Sequence, residues 1–221
     1  MFNRSPYGAY QIAEGVDGAL MGRTLGYLAL LLAILAVAAG ISPAFGGWSL
    51  WLGIIGAFLG TIMVSRNIAS AGRALTWGTI VAIGMGLLIG PVVWTVALTQ
   101  PTLLWSTLGT LVIAVLFSAL LVSWIPWDFT RLMPLLFLGL IMLLVTSLLS
   151  WIIPGMTGVV MSRAYNLIGV LIFIGYLIVD FSIMRFRGRV IPLDGAPVVL
   201  AVSILVDIVN LFLFLLRLGR R

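Results

Sequence analysis

Residues 197–218 read PVVLAVSILVDIVNLFLFLLRL, a mainly apolar run near the carboxyl-terminal end of the sequence. Its 22 residues form a helix long enough to cross a bilayer, which needs about 20 mainly apolar residues. Four of its side chains are polar, namely Ser203, Asp207, Asn210 and Arg217. They follow one another at steps of four, three and seven residues, so a helix places them on one face. The stretch is predicted to be a membrane-spanning helix with one polar stripe.

The rest of the chain is as apolar as this stretch. Of its 221 residues, 62% are hydrophobic and 8% are charged, whereas about a quarter of residues are charged in soluble proteins. This composition excludes a water-soluble globule and predicts an all-α integral membrane protein. Prolines and tryptophans at the ends of the apolar runs mark seven spans. The predicted spans are residues 24–42, 47–64, 74–98, 102–125, 132–153, 163–184 and 197–218.

The spans are expected to form a single membrane domain, 1–221. Residues 1–22 are predicted to be an amino-terminal tail and a turn on the membrane surface, because they are polar and rich in glycine. Residues 23–221 then make up the helical bundle. The first apolar run is too long for a cleavable secretion signal.

All twelve cationic residues are arginines, and the formal net charge is +6. They stand singly or in small groups between apolar runs, a pattern typical of loop charges that orient membrane helices, so no nucleic-acid partner is expected. The tail and the even-numbered loops carry most of them, which predicts a cytoplasmic amino terminus. Seven crossings then leave Arg217, Arg220 and Arg221 outside, against this rule. Either the last helix is an exception or it is re-entrant, and a full crossing is preferred because the run is long enough.

The absent residue types exclude several kinds of site. The chain has no Cys, His or Lys, which excludes disulfides, Ser-His-Asp triads, His-ligated zinc or haem, lysine Schiff bases and P-loops. No enzymatic activity and no cofactor are expected. The short loops favour a bacterial plasma (inner) membrane, although an organellar membrane remains an alternative.

Asp180 and Asp207 are the acids that lie inside apolar runs. A carboxylate in hydrocarbon costs at least about 2.5 kcal/mol, so such residues normally face a bundle interior or a cavity. If the sixth and seventh spans run antiparallel, the two acids lie at similar depth from the turn near Asp194. Asn166, Gly169, Phe173, Tyr176 and Asp180 fall on one face of the sixth span at steps of three and four residues. Burying this face against the stripe that holds Asp207 brings the two carboxyl groups together.

Two carboxyl groups in a low-dielectric interior cannot both ionise at low cost, so the pair is expected to share a proton. A shared proton ties the two helices, whereas its loss leaves like charges that repel each other and attract a cation. Calcium suits carboxylate and amide oxygens, which makes Asp180 and Asp207 its candidate ligands. In the alternative, purely structural interpretation, Asp180 pairs with Arg66 or Arg185, and Asp207 bonds Asn210 or the backbone.

The carboxyl-terminal third resembles the Bax inhibitor-1 family, also called the transmembrane Bax-inhibitor-motif family. The resemblance is to a bacterial type of member. The matching residues are Gly175, Tyr176 and Asp180, followed by the run DIVNLFLFLLRLG at residues 207–219. This resemblance implies that the seventh helix is central and wrapped by the other six. It also implies a pH-sensitive calcium leak controlled by the aspartate pair.

The same resemblance implies a role for Arg66, which matches a family arginine that engages the pair from the cytoplasmic end of the second span. Tyr176, Ser203 and Asn210 are expected to support the pair from the two polar faces. Some relatives carry a Glu within the second span, whereas residues 47–64 hold no acid. In this chain the leak would therefore depend on the aspartate pair.

Three alternative functions are compatible with these residues. The first is a calcium leak that needs only the lipid bilayer, calcium and protons. The second is a regulator without transport activity that binds another membrane protein, such as a membrane protease. The third is a proton/cation exchanger, because a protonatable pair serves that function equally well. Intramembrane aspartyl proteolysis is disfavoured, because neither aspartate lies in a Tyr-Asp or Gly-x-Gly-Asp context.

Overall fold

The computed structural model describes residues 6–153, 155–186 and 193–220, and their side chains from residue 20 onward. Within these ranges the regular structure is helical. The α-helices are α1 (Pro6–Ile41), α2 (Trp48–Arg66), α3 (Ala71–Thr99), α4 (Pro101–Trp124), α5 (Met133–Ile152), α6 (Thr157–Met161), α7 (Arg163–Phe186) and α8 (Ala196–Gly219). Two 3₁₀ turns, Ser42–Phe45 and Phe129–Leu132, precede α2 and α5.

Among the described residues, seven helices are long and apolar enough to cross a membrane. These are α1 to α5, α7 and α8, and they correspond to the seven predicted spans, which confirms the all-α seven-span fold. The short α6 lies between α5 and α7. Exposed tryptophans cluster near the helix ends, as interfacial aromatic residues should. They include Trp48, Trp105, Trp124 and Trp151.

The amino-terminal segment differs from its prediction. Residues 6–22 belong to α1, which runs without interruption into the first span, whereas a tail and a surface turn were expected there. Pro6 occupies the first helical position, where a missing N–H costs nothing. The next proline is Pro43, just beyond the end of α1 at Ile41, so no proline interrupts this helix. Residues 1–5 lie outside the described residues.

The chain divides into two compact units, and α3, α7 and α8 each contribute to both. Unit 1 comprises Met1–Pro91 and Ile183–Leu205, and unit 2 comprises Val92–Ser182 and Val206–Arg221. The single domain 1–221 stays a prediction. Of the span windows, α8 has the largest buried share, 61%, whereas the window in α5 is 11% buried. High burial of α8 fits the expected central position, which itself stays a prediction.

Glycines hold α2 and α3 together in unit 1. A Cβ placed on Gly84 of α3 would collide with the backbone of Gly56 and Ala57 in α2, and one on Gly53 would lie 2.8 Å from the Gly84 carbonyl oxygen. A Cβ on Gly60 would lie 2.7 Å from a Val81 methyl group. The Gly56–Gly60 pair of the second span therefore serves close helix packing, as small residues do in membrane proteins.

Candidate functional site

The two intramembrane aspartates meet within unit 2. Asp180 lies on α7 and Asp207 on α8, and their side chains are 4% and 6% exposed. The two carboxyl groups are hydrogen-bonded to each other. A carboxylate can only accept hydrogen bonds, so a bond between two carboxyl groups requires a proton on one of them. The second oxygen of Asp207, Oδ2, is buried without a hydrogen-bond partner in the described part of the chain.

The local sequence explains why both acids point inward. Within unit 2, Leu177 and Val179 on α7 and Leu211 on α8 are almost completely buried as well. The pair therefore lies in an apolar surrounding that strengthens electrostatic interactions. In such a surrounding, two carboxyl groups that share one proton are less costly than two ionised carboxylates.

Tyr176 is the predicted supporting residue that lies beside the pair in unit 2. It precedes Asp180 by one helical turn, is half-buried, and its hydroxyl lies within electrostatic range of both carboxyl groups. On its other side Tyr176 contacts the ring of Phe173, with the ring centroids 6.1 Å apart. Tyr176 therefore lies between the aspartate pair and an aromatic cluster.

Asn210 occupies the predicted face of α8, one turn beyond Asp207. Its amide Nδ2 donates to the carbonyl oxygen of Val206 at 2.9 Å, so this donor serves its own helix. The structure thus gives Asn210 a backbone contact, and its predicted role in supporting the aspartate pair stays a prediction.

Two further predicted residues belong to unit 1. Ser203 is half-buried on α8, and Arg66 is exposed in the last turn of α2. Ile68, two residues after Arg66, accepts a hydrogen bond from the Gly195 N–H at 2.9 Å, so the turn after α2 is fixed to the start of α8. The roles predicted for Arg66 and Ser203 at the pair stay predictions.

The predicted calcium site has few protein ligands. Among the described residues, no group of three or more acidic, His or Cys side chains lies together. Calcium takes six to eight oxygen ligands, and two aspartates provide only part of such a set. The roles of Asp180 and Asp207 as calcium ligands stay a prediction.

A second polar cluster, missed by the sequence predictions, fixes the loop before α5 to α7. Ser182, two residues after Asp180, is fully buried, and its Oγ accepts the Phe129 N–H at 3.1 Å. The Ser182 hydroxyl donates to Asp128 Oδ1 at 3.5 Å. Asp128 also caps the 3₁₀ turn by accepting from the N–H of Thr130 at 3.0 Å and from its hydroxyl at 2.6 Å.

The capping half of this cluster had a sequence signal. An Asp two residues before a Thr, at the start of a helix, is typical of an Asx turn. Ser182 carried no signal, because its partner is 53 residues away in the chain.

Comparison with known proteins agrees with this architecture. The pattern of the family described as Inhibitor of apoptosis-promoting Bax1 matches residues 18–220. No curated protein matches the chain significantly. The family match covers all seven spans and includes both Asp180 and Asp207. The chain is therefore an integral, multi-pass membrane protein that belongs to the Bax inhibitor-1 family.

Proposed function

We propose that this protein is a pH-sensitive calcium leak of its membrane, and that the Asp180–Asp207 pair is its pH sensor and gate. The observation that carries the proposal is the buried hydrogen bond between these two carboxyl groups. Family membership supports the choice of calcium. The protein is proposed to act without enzymatic chemistry and without a cofactor, with calcium as cargo.

The mechanism follows from the charge on the pair. While one proton is shared, the hydrogen bond ties α7 to α8 and the site carries a single negative charge. When this proton leaves, two negative charges face each other in an apolar surrounding, which separates the helices and attracts a cation. Calcium flux is therefore proposed to rise with pH. Tyr176 lies close enough to respond to the charge on both groups.

The proposal is tested with purified protein in liposomes that contain a calcium indicator. Flux is measured between about pH 6 and about pH 8, the range around neutral pH. Wild type is compared with Asp180→Asn and Asp207→Asn, which keep the shape of the side chain but cannot ionise. The control is Asp194→Asn, because Asp194 is an exposed acid outside the spans.

Flux that rises with pH in wild type and in the control, but not in either pair variant, is the expected result. A wild type that passes no calcium under any imposed gradient would contradict the leak and favour a regulator that binds another membrane protein. An imposed proton gradient that drives calcium uphill would instead identify a proton/cation exchanger at the same pair.

A further inference from the structure

We propose that the stacked rings of Phe173 and Phe214, packed on Gly169, form an apolar gate. This gate closes the route between the aspartate pair and the end of the bundle where α7 begins at Arg163. The inference rests on the proposed leak, because it names the barrier that an ion must pass after leaving the pair. All residues that carry it belong to unit 2.

The two rings lie at one level relative to the pair. Phe173 precedes Asp180 by seven residues, and Phe214 follows Asp207 by seven residues. Seven residues correspond to about 10 Å along a helix, or two turns. Since α7 and α8 run antiparallel through these contacts, both rings lie about two turns from the pair on the same side of it. Their centroids are 5.7 Å apart and their planes are inclined by 29°.

Because Gly169 has no side chain, the Phe214 ring packs directly against the backbone of α7. A Cβ added to Gly169 would overlap the Phe214 ring, with Cγ only 2.7 Å away. Tyr165 packs on the other side of Phe214, with the centroids 5.9 Å apart. The side chains of Tyr165, Phe173 and Phe214 are all more than nine-tenths buried. Three aromatic rings therefore fill the seam between α7 and α8 at this level.

Polar groups lie on both sides of this aromatic layer. The aspartate pair and Tyr176 are on one side. On the other side is Asn166, which is 1% exposed and whose Nδ2 donates to the carbonyl oxygens of Ser162 at 2.8 Å and Val160 at 3.2 Å. Its Oδ1 is buried without a hydrogen-bond partner among the described residues. A buried acceptor of this kind fits a water molecule or a hydrated cation.

An apolar constriction between two polar regions stops ions by excluding the water that must accompany them. Phe173 and Phe214 provide such a constriction, and the guanidinium of Arg217, an exposed residue, lies over the Phe214 ring, 5.8 Å from its centroid. Rotation of this ring out of the seam would join the polar region around Asn166 to the aspartate pair.

The gate is tested first by calcium flux in the liposomes described above. Phe214→Ala and Phe173→Ala are expected to raise flux at about pH 8 by on the order of fivefold or more, because the apolar barrier is removed. The response to pH is expected to persist, because the pair is intact. Phe137→Ala is the control, since this ring lies on α5 and is 58% exposed.

A second readout needs no calcium flux. Because the chain has no native cysteine, Asn210→Cys places a single thiol on the pair side of the gate. A thiol reagent that cannot cross membranes is added on the side where α7 begins. It is expected to modify Asn210→Cys only when Phe214→Ala is also present. Arg163→Cys, at an exposed position, is expected to react in both backgrounds and to show that the bundle is correctly oriented.

The possible outcomes test the proposed gate and the proposed leak independently. If wild type shows pH-dependent flux and both phenylalanine variants leave flux and thiol modification unchanged, the gate is overturned and the leak stands. If wild type passes no calcium but Phe214→Ala opens the thiol to the reagent, the gate stands and the leak is overturned. Modification of Asn210→Cys at equal rates with and without Phe214→Ala would also overturn the gate.

Discussion

At the scale of single residues, Ser182 links a loop to a membrane helix. Its hydroxyl accepts the Phe129 N–H at 3.1 Å in a fully buried position. A buried N–H that loses its acceptor costs about 1–3 kcal/mol. The contact lies two residues from Asp180, so it also helps to fix the part of α7 that carries this acid.

Ser182→Ala is therefore expected to lower the free energy of unfolding by about 1–3 kcal/mol. Thermal or denaturant unfolding in detergent measures the change. Ser123→Ala is the matched control, because the Ser123 hydroxyl is exposed and bonds only Ala119 of its own helix. The control is expected to change stability by less than about 0.5 kcal/mol. Equal effects of the two substitutions would mean that the buried contact with Phe129 contributes nothing.

At the scale of helices, the close approach of α2 and α3 depends on glycine. Gly84→Ala adds a Cβ that meets the backbone of Ala57, and backbone cannot move aside as a flexible side chain can. Overpacking of this kind typically costs about 1–3 kcal/mol. The substitution is expected to lower the unfolding temperature in detergent. Gly109→Ala is the control, because Gly109 lies in α4 with nothing within 4 Å of its added Cβ.

Alanine is the better helix former by about 0.5–1 kcal/mol, so the Gly109 control is expected to be neutral or stabilising. If Gly84→Ala is as well tolerated as Gly109→Ala, then α2 and α3 do not need this contact.

Hydropathy, together with the prolines and tryptophans at the ends of the apolar runs, was sufficient to locate the spans. Apart from the start of the first helix, every predicted span end lies within three residues of the observed helix end. The reason is physical, since the thickness of the hydrocarbon core fixes the length of each apolar run. The start of α1 at Pro6 was missed because hydropathy reports the membrane and not the helix, and a polar helical extension leaves no such signal.

At the scale of the whole molecule, the arginine distribution predicts which loops face the cytoplasm. The loop with Asp194 is predicted to be cytoplasmic, and the loop with Gly47 is predicted to be on the other side. Both positions are exposed and outside α-helices. In whole cells, a thiol reagent that cannot cross membranes should modify Gly47→Cys and spare Asp194→Cys.

Arg220→Cys tests whether α8 crosses the membrane completely. It is expected to be modified together with Gly47→Cys if α8 crosses the membrane completely. Modification of Asp194→Cys in intact cells would reverse the predicted orientation. Protection of Arg220→Cys would favour a re-entrant last helix.

The pairing of Asp180 with Asp207 could be predicted because acids are rare inside apolar runs and because an antiparallel hairpin places them at one depth. The contacts of Phe214 with Gly169 and of Ser182 with Phe129 could not. Each joins residues more than 40 positions apart; residue spacing predicted the face of α7 that holds Gly169, but not which side chain of α8 packs on it.

The two aspartates are proposed to act as one proton-sharing unit that controls calcium flux. The most direct test compares Asp180→Asn, Asp207→Asn and the double variant for the ratio of calcium flux at about pH 8 to that at about pH 6 in liposomes. If the two aspartates act as one unit, either single substitution is expected to bring this flux ratio to about one. The double variant is then expected to have no further effect. The claim is contradicted if the effects of the two substitutions simply add, or if either single variant keeps the wild-type response to pH.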